Sequence, residues 1–464
     1  MADNKDIFLS RRALCAGGAS AMAVALLGSL VKRTVLIPGL SEAADKEALR
    51  IRKKYTRSQM YEGLFYDRCG TLLQTPAEEP GRVAKLLDPL PYRIIGYYSG
   101  SYGWSGLRQQ LYQYLYSDPG PDKHGAAVQL TLHDTLQRTA YQAVCKGAYG
   151  ASAVVMDCDT GELLCCTSSQ FSSEVEYDVN TYHENVDLYK SQDNARNRMA
   201  EDPAFTCSTL PGSSSKLLTA AAMVRSGAPL EYNDTTGSYE HISNFKKQVL
   251  GKLDLTTALV KSANVYFAAG ADAMGAEAML AEMELWGYNM VVPLDNGQVL
   301  TPTAQAKDLG EARQLSIGQG DIKGCSLWNA MLYGALCTGK VITPHLIKSV
   351  TSTAGQVLLE EESPQTLAEP LADQALRDQL ATALEACGKK YGLAREGWKI
   401  MAKTGTAEVS GWNNSIHLCA ALESPSGRHY AVALNRQNTT DTSSALLGPA
   451  ATVLDCLMER EGEM

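Results

Sequence analysis

From Ala13 to Val31 the chain carries an unbroken run of apolar and small residues, with Arg11-Arg12 before it and Lys32-Arg33 after it. At a helical rise of about 1.5 Å per residue the run reaches about 28 Å, close to the ~30 Å hydrocarbon core of a bilayer. It predicts a transmembrane anchor over 13–31 behind a short tail, 1–12. A cleaved signal peptide fits less well, because the run is long for such a segment and Lys32-Arg33 is a poor small-residue cleavage site. Ser10-Arg11-Arg12 also has the look of a twin-arginine export signal. Leu14 before Cys15 argues against a lipoprotein-type cleavage.

Past the anchor, Glu42 to Lys54 is charged with helical character, and Gly63 to Leu72 reads as a strand, a tight turn at Gly70 and a strand. Pro119 to Gly125 is rich in turn formers and marks a linker. Gln129 to Val144 reads as a strand running into an amphipathic helix, with Leu132, Leu136, Ala140 and Ala143 at helical spacing. Ala151 to Met156 and Glu162 to Ser168 form a predicted hairpin about Asp159-Thr160-Gly161. Ser172 to Glu201 is polar, lacks periodicity and reads as loop. Ser213 to Ser226 predicts a helix opened by Pro211-Gly212 and closed by Gly227 and Pro229; with little polar face, it should be buried. Trp398–Val409, Ile416–Leu422 and Tyr430–Leu434 read as strands. Ala445–Glu461 reads as a closing helix, with Gly448-Pro449 expected to disturb its first turns. Strands at both ends of a mostly helical middle predict an α+β domain.

Composition narrows the function. The 464 residues are 45% hydrophobic and 20% charged, ordinary for globular chains with ample core. A net charge of −9, with no cluster of Lys and Arg, argues against a nucleic-acid partner. The twelve cysteines are scattered, without zinc-ligand spacing, and are expected to be buried free thiols. No metal or other cofactor is implied.

Three short motifs carry the candidate chemistry. Ser213 and Lys216, three residues apart on the predicted helix, share one face. A lysine desolvated at the positive end of a helix has its pKa lowered toward that of a useful base, so Lys216 could take the Ser213 proton. The bland alternative is a Ser213 cap with Lys216 reaching out to solvent. Ser262-Ala263-Asn264 follows an amphipathic helix over Asp254–Lys261; Ser262 is suited to relay a proton between Lys216 and a leaving amine, and Asn264 to hold a peptide group. On the strand carrying Lys403-Thr404-Gly405-Thr406, alternation puts Thr404 and Thr406 on one face and Lys403 and Gly405 on the other. Two hydroxyls beside a lysine can grip a carboxylate, and Gly405 lets another element pack close.

In this order, the Ser-x-x-Lys, Ser-x-Asn and Lys-Thr-Gly motifs resemble those of penicillin-binding proteins and serine β-lactamases. Thr406-Ala407-Glu408 resembles the class B penicillin-binding proteins over class A. Asp67-Arg68-Cys69-Gly70 resembles the opening of their non-catalytic pedestal, Gly96-Tyr97-Tyr98, Tyr102-Gly103 and Ser105-Gly106-Leu107 another pedestal motif, Asn197-Arg198 the pair before the nucleophile, and Ser316–Asp321 their Gly-Gln-Gly segment. The resemblance spans about Gly63 to Leu434. It implies a pedestal over 32–123 and a transpeptidase domain over 124–464 with an antiparallel five-stranded sheet flanked by helices, the predicted hairpin supplying its first two strands. It further implies catalytic roles for Ser213, Lys216, Ser262, Asn264 and Lys403, substrate-carboxylate binding by Thr404, Gly405 and Thr406, and an oxyanion hole from the backbone N–H groups of Ser213 and Thr406.

The activity so implied is that of a peptidoglycan D,D-transpeptidase acting on stem peptides and inhibited by β-lactams, with its catalytic domain outside the membrane and a SEDS-type glycosyltransferase as partner. A D,D-carboxypeptidase or β-lactamase, and a non-catalytic β-lactam sensor or division scaffold, are the alternatives. Two departures stand out. Arg108 occupies a position where the family has an acid, which puts any pedestal interaction of that acid in doubt. Ile416-His417 stands where Trp-Phe is common, and is expected to alter packing at the cleft edge.

Overall fold

Two of the predicted strands are apolar at nearly every position, a pattern that requires cover on both faces of a sheet. The computed structural model describes residues 59–464 except 78, 88–91, 100–102, 117–123, 149, 170–201, 361–362 and 410–412. The predicted anchor, the charged stretch over 42–54 and Asn197-Arg198 lie outside the described residues, and so does nearly all of the polar loop. Among the described residues, no helix is long and apolar enough to cross a membrane.

The central sheet has five strands: β1 (Ser152–Asp157), β2 (Leu163–Ser168), β3 (Lys399–Val409), β4 (Asn413–Glu423) and β5 (His429–Thr439). Their order is β3-β4-β5-β1-β2, with every neighbouring pair antiparallel. The early hairpin therefore docks on the last strand, Tyr430 opposite Asp157. Every residue of β1 and β2 is buried. One face, with Val155, Leu164, Leu418 and Val432, packs on α1 (Asp134–Ala140) and the closing helix α8 (Leu447–Glu459). The other, with Val154, Met156, Cys419 and Ala431, packs on a helical layer. That layer includes α2 (Lys216–Ser226), α3 (Leu255–Lys261), α4 (Asn264–Met274), α5 (Leu309–Ser316), α6 (Ser326–Thr338) and α7 (Gln374–Lys390).

Two local expectations are corrected. The Ser213 segment starts as a 3₁₀ turn, Gly212–Ser215, and becomes α-helical only at Lys216. Gly448-Pro449 falls in the first turn of α8, where a missing N–H costs no helical bond, so the helix runs on undisturbed.

Asp67 builds the turn at Gly70, its Oδ1 accepting from the N–H groups of Cys69 and Thr71. Next to it, Arg68 is buried and donates to Glu162 at the β1–β2 turn, to the Thr131 carbonyl and to the Glu463 carbonyl. Phe65–Tyr66 pairs with Ala127–Leu130, which pairs in turn with Ile347–Thr351, so residues from both sides of the predicted 123/124 boundary share one small sheet. Arg108, the departure from the family pattern, is a buried hub. It donates to both carboxylate oxygens of buried Glu62 and to the carbonyls of Ala84 and Gly96.

Candidate active site

Gly212 holds φ +54°, a left-handed conformation that directs the chain into the 3₁₀ turn. In a 3₁₀ turn residues i and i+3 eclipse, which aligns Ser213 with Lys216. The turn is held from several sides. The Ser214 and Ser215 hydroxyls donate to the carbonyls of Pro211 and Gly212, and Tyr333 Oη donates to the Ser214 carbonyl at 2.8 Å. Gly212 N–H donates to Gly318 of the Gly-Gln-Gly segment at 2.9 Å. Gly318 has no room for a side chain, since a Cβ there would lie 2.0 Å from the Gly212 oxygen.

Ser262 ends α3 and Asn264 opens α4, so the second motif is the joint between two helices. Ser262 takes a left-handed φ of 56°, uncommon for a residue with a side chain. That conformation faces both its carbonyl and its hydroxyl toward Lys216, whose Nζ lies 2.9 Å from the first and 3.2 Å from the second. Asn264 Oδ1 is 2.7 Å from the same Nζ, and Asn264 Nδ2 is anchored on the Ser243 carbonyl. Lys403 reaches Ser262 Oγ from the sheet side, at 3.0 Å. Two lysine amines thus meet at one serine hydroxyl.

Both lysines are fully buried. Burial first, and the neighbouring Lys403 second, hold the Lys216 pKa well below the ordinary lysine value. A neutral amine has two N–H donors and one lone pair. In that form the Ser262 carbonyl and Asn264 Oδ1, which can only accept, would use both donors. The lone pair is left for a hydroxyl proton, and Ser262 Oγ is in place to supply or take it. The outward-reaching Lys216 of the bland alternative is excluded by this burial.

Strand β3 runs directly against the nucleophile turn. A Cβ on Gly405 would lie 2.5 Å from the Pro211 oxygen and 2.9 Å from the Ser214 nitrogen, so only glycine permits the approach. Thr404 and Thr406 share the other face and are half-buried. Thr404 Oγ1 donates to Tyr391 Oη at 3.2 Å, and Thr406 Oγ1 accepts from Ser443 N–H at 3.2 Å.

His417 does not line the cleft edge. On β4 it pairs with Gly405 of β3 and is buried, with Nε2 3.0 Å from Ser415 Oγ and the Asn435 amide against the ring. Burial depresses its pKa to about 4, against a hydrogen bond to the backbone of Leu210 that raises it. The neutral imidazole therefore supports the strap entering the nucleophile turn from beneath. Motif reading missed Tyr391, Tyr333 and the Ser415/His417/Asn435 cluster. Each acts from a distant stretch of chain through one side chain, which leaves no local pattern.

Cys69, His133 and Glu463 also offer ligand atoms within 4.8 Å of one another. His133 Nδ1 accepts the Leu136 N–H, which leaves the proton on Nε2 to donate to Glu463 at 2.9 Å. In that tautomer the ring has no lone pair for a metal.

Comparison with known proteins agrees with this geometry. PbpB of Mycolicibacterium smegmatis, a penicillin-binding protein, is 29% identical over 309 residues, covering 61% of this chain and 45% of that protein. The peptidoglycan D,D-transpeptidase PbpA of Mycobacterium tuberculosis is 26% identical over 322 residues, 62% of each chain. The chain thus spans less than two thirds of either relative. Among solved structures, the D,D-transpeptidase domain of a peptidoglycan glycosyltransferase from Eggerthella lenta superposes with a TM-score of 0.73 at 23% identity, covering 88% of this chain and all of that one. Penicillin-binding protein A from M. tuberculosis, as its ceftriaxone acyl-enzyme, gives 0.74 at 22% identity, covering 86% of this chain and 98% of that one. The family model for the penicillin binding protein transpeptidase domain matches residues 151–459, two thirds of the sequence and all three motifs, and the chain belongs to that family.

Proposed function

We propose that this protein is a peptidoglycan D,D-transpeptidase working through a Ser213 acyl-enzyme. The observation that carries the reading is the meeting of Lys216 and Lys403 at Ser262 Oγ beside the nucleophile turn, with the Lys216 pKa held well below the ordinary lysine value. Ser213 Oγ attacks the penultimate D-alanine carbonyl of a donor stem peptide, and its proton passes to Lys216. The C–N bond to the terminal D-alanine breaks, and Ser262 hands that proton to the departing amine. An acceptor amine then attacks the ester and gives up a proton by the same route, which restores the Ser213 hydroxyl and closes the cross-link. The Ser213 and Thr406 N–H groups stabilise the oxyanion at each stage, an effect worth about 3–4 kcal/mol per donor in other serine enzymes. Asn264 orients the donor peptide, while Thr404 and Thr406 hold its carboxylate across the opening that Gly405 allows.

A β-lactam presents the same carbonyl and carboxylate and stalls at the ester, the species named for the M. tuberculosis relative. Residues 13–31 anchor the chain in the cell membrane, 32–123 form a pedestal clamped by Arg68 and Arg108, and the transpeptidase domain from 124 lies outside the membrane, beside a SEDS-type polymerase that supplies glycan. The apolar run bounded by basic residues and the pedestal-type motifs support this arrangement.

Intact mass after fluorescent penicillin tests the nucleophile: one stable adduct is expected on the wild type and none on Ser213→Ala. An unmodified wild type would sink the enzyme reading. Polymerised glycan bearing stem peptides should then yield dimeric muropeptides, whereas D-alanine release without dimers would mark a carboxypeptidase.

A further inference from the structure

Cysteine reactivity supplies a site apart from the acyl-transfer centre. Cys165 and Cys166, the adjacent pair in the sequence, point to opposite faces of β2 and belong to different cores, so they cannot join. The structure instead brings together Cys207 and Cys325, which are 118 positions apart, with their Sγ atoms at 3.6 Å. No other pair of thiols among the described residues is in hydrogen-bond contact.

Cys207 sits half-buried on the strap that leads to Ser213, and Cys325 is buried as the N-cap of α6, its Sγ accepting the Trp328 N–H. The strap is already stitched beside them. Thr209 and Gly324 exchange both backbone hydrogen bonds, and Thr209 Oγ1 donates to the Gly324 carbonyl at 2.8 Å. Forming an S–S bond of about 2.05 Å needs the two sulfurs to close by about 1.5 Å, within reach of side-chain rotation.

We propose that Cys207 and Cys325 are a redox-modification site, oxidised by a low-molecular-weight disulfide to a covalent staple between the nucleophile strap and α6. The two sulfurs have distinct roles. The hydrogen bond between the two thiols lowers the Cys207 pKa in spite of burial, while burial raises that of Cys325. Cys207 is therefore the attacking thiolate, and it is the more accessible of the two. It attacks one sulfur of the small disulfide, whose S–S bond breaks and releases one thiolate. Cys325 then attacks Cys207 Sγ in the mixed disulfide and expels the second thiolate. Two protein thiols are oxidised, one small disulfide is reduced to two thiols, and the protons of the cysteines end on those thiols. The bond closes a loop of more than a hundred residues, the case in which a cross-link restricts the unfolded chain most. This inference stands independently of the proposed activity.

The test uses the full chain, folded, incubated with glutathione disulfide, then alkylated and digested. The peptides bearing Cys207 and Cys325 are expected joined, and the melting temperature raised by about 5 °C or more until dithiothreitol reverses it. Cys207→Ser should show neither effect. Cys325→Ala should stop at a single glutathionyl adduct on Cys207. The proposal is overturned if both cysteines stay open to alkylation in the folded wild type, if they join only after unfolding in urea, or if Cys325→Ala takes up no glutathione. A joined protein that melts no higher than the reduced one overturns the stapling role.

Discussion

Replacing Gly405 with alanine tests how the sheet and the nucleophile turn are joined. The new Cβ would stand 2.5 Å from the Pro211 oxygen, where real Cβ atoms keep at least 3.0 Å. The obstacle is backbone on a turn fixed by Tyr333 and Gly318, so no flexible side chain can swing aside. Strand and turn must part by about 0.5–1 Å, a form of overpacking that costs about 1–3 kcal/mol of stability. The two proposed oxyanion donors, Ser213 N–H and Thr406 N–H, lie on opposite sides of that seam. Widening it leaves a developing oxyanion bound by one donor, a loss of about 3–4 kcal/mol or about 10²–10³ in rate. Stopped-flow acylation by fluorescent penicillin measures the effect, and thermal melting reports the stability change alongside. The pH dependence should change far less than the rate, because Ser262 and Asn264, which hold the Lys216 amine, lie at the joint of α3 and α4 and off the widened seam. A folded Gly405→Ala protein that acylates within about threefold of the wild type would refute the reasoning.

Three further outcomes follow from buried charge. Removing the Lys403 ammonium relieves a like charge that depresses Lys216, so Lys403→Met should move the acid limb of its residual acylation profile to higher pH; an unmoved limb denies the coupling. Arg108→Met leaves Glu62 buried and uncompensated, at a cost of about 3–5 kcal/mol in urea unfolding, and the double variant with Glu62→Met should recover most of it. Equal losses in the single and double variants would contradict this. His417 stays neutral when folded down to about pH 4, but the unfolded chain takes up its proton below 6.5. The unfolded state therefore binds more protons in that window, and stability falls by up to about 3 kcal/mol as pH drops from 6.5 to 4. His417→Gln should flatten that slope, and an unchanged slope would place the titration elsewhere.

Local chemistry explains what was legible in the sequence. Helix α3 is announced by Asp254, whose carboxylate caps the Thr257 N–H, and α2 ends at Gly227, the left-handed residue a helix stop requires. Strands β1 to β4 were readable within about three residues because their apolar runs match their burial, whereas β5 was readable only over its apolar first half and runs on through polar Asn435–Thr439. The three motifs were readable because spacing of two or three residues places side chains on one face whatever surrounds them. Ser213 lies in a 3₁₀ turn that opens at Gly212, not in an α-helix, since its backbone is shaped by Gly318 and by strand β3, both far along the chain.

Sequence alone determined the elements, their order and which residue types could do acyl-transfer chemistry, because those depend on the preferences of neighbouring residues. Tertiary structure alone decided that Lys216 meets Ser262 across 46 positions and that Lys403 meets it across 141. It likewise decided that Glu62 answers Arg108, and that Cys207 finds Cys325 while Cys165 and Cys166 stay apart. Contacts at such separation are set by which faces pack and in what register, and the Lys216 pKa is depressed because that packing excludes water around it.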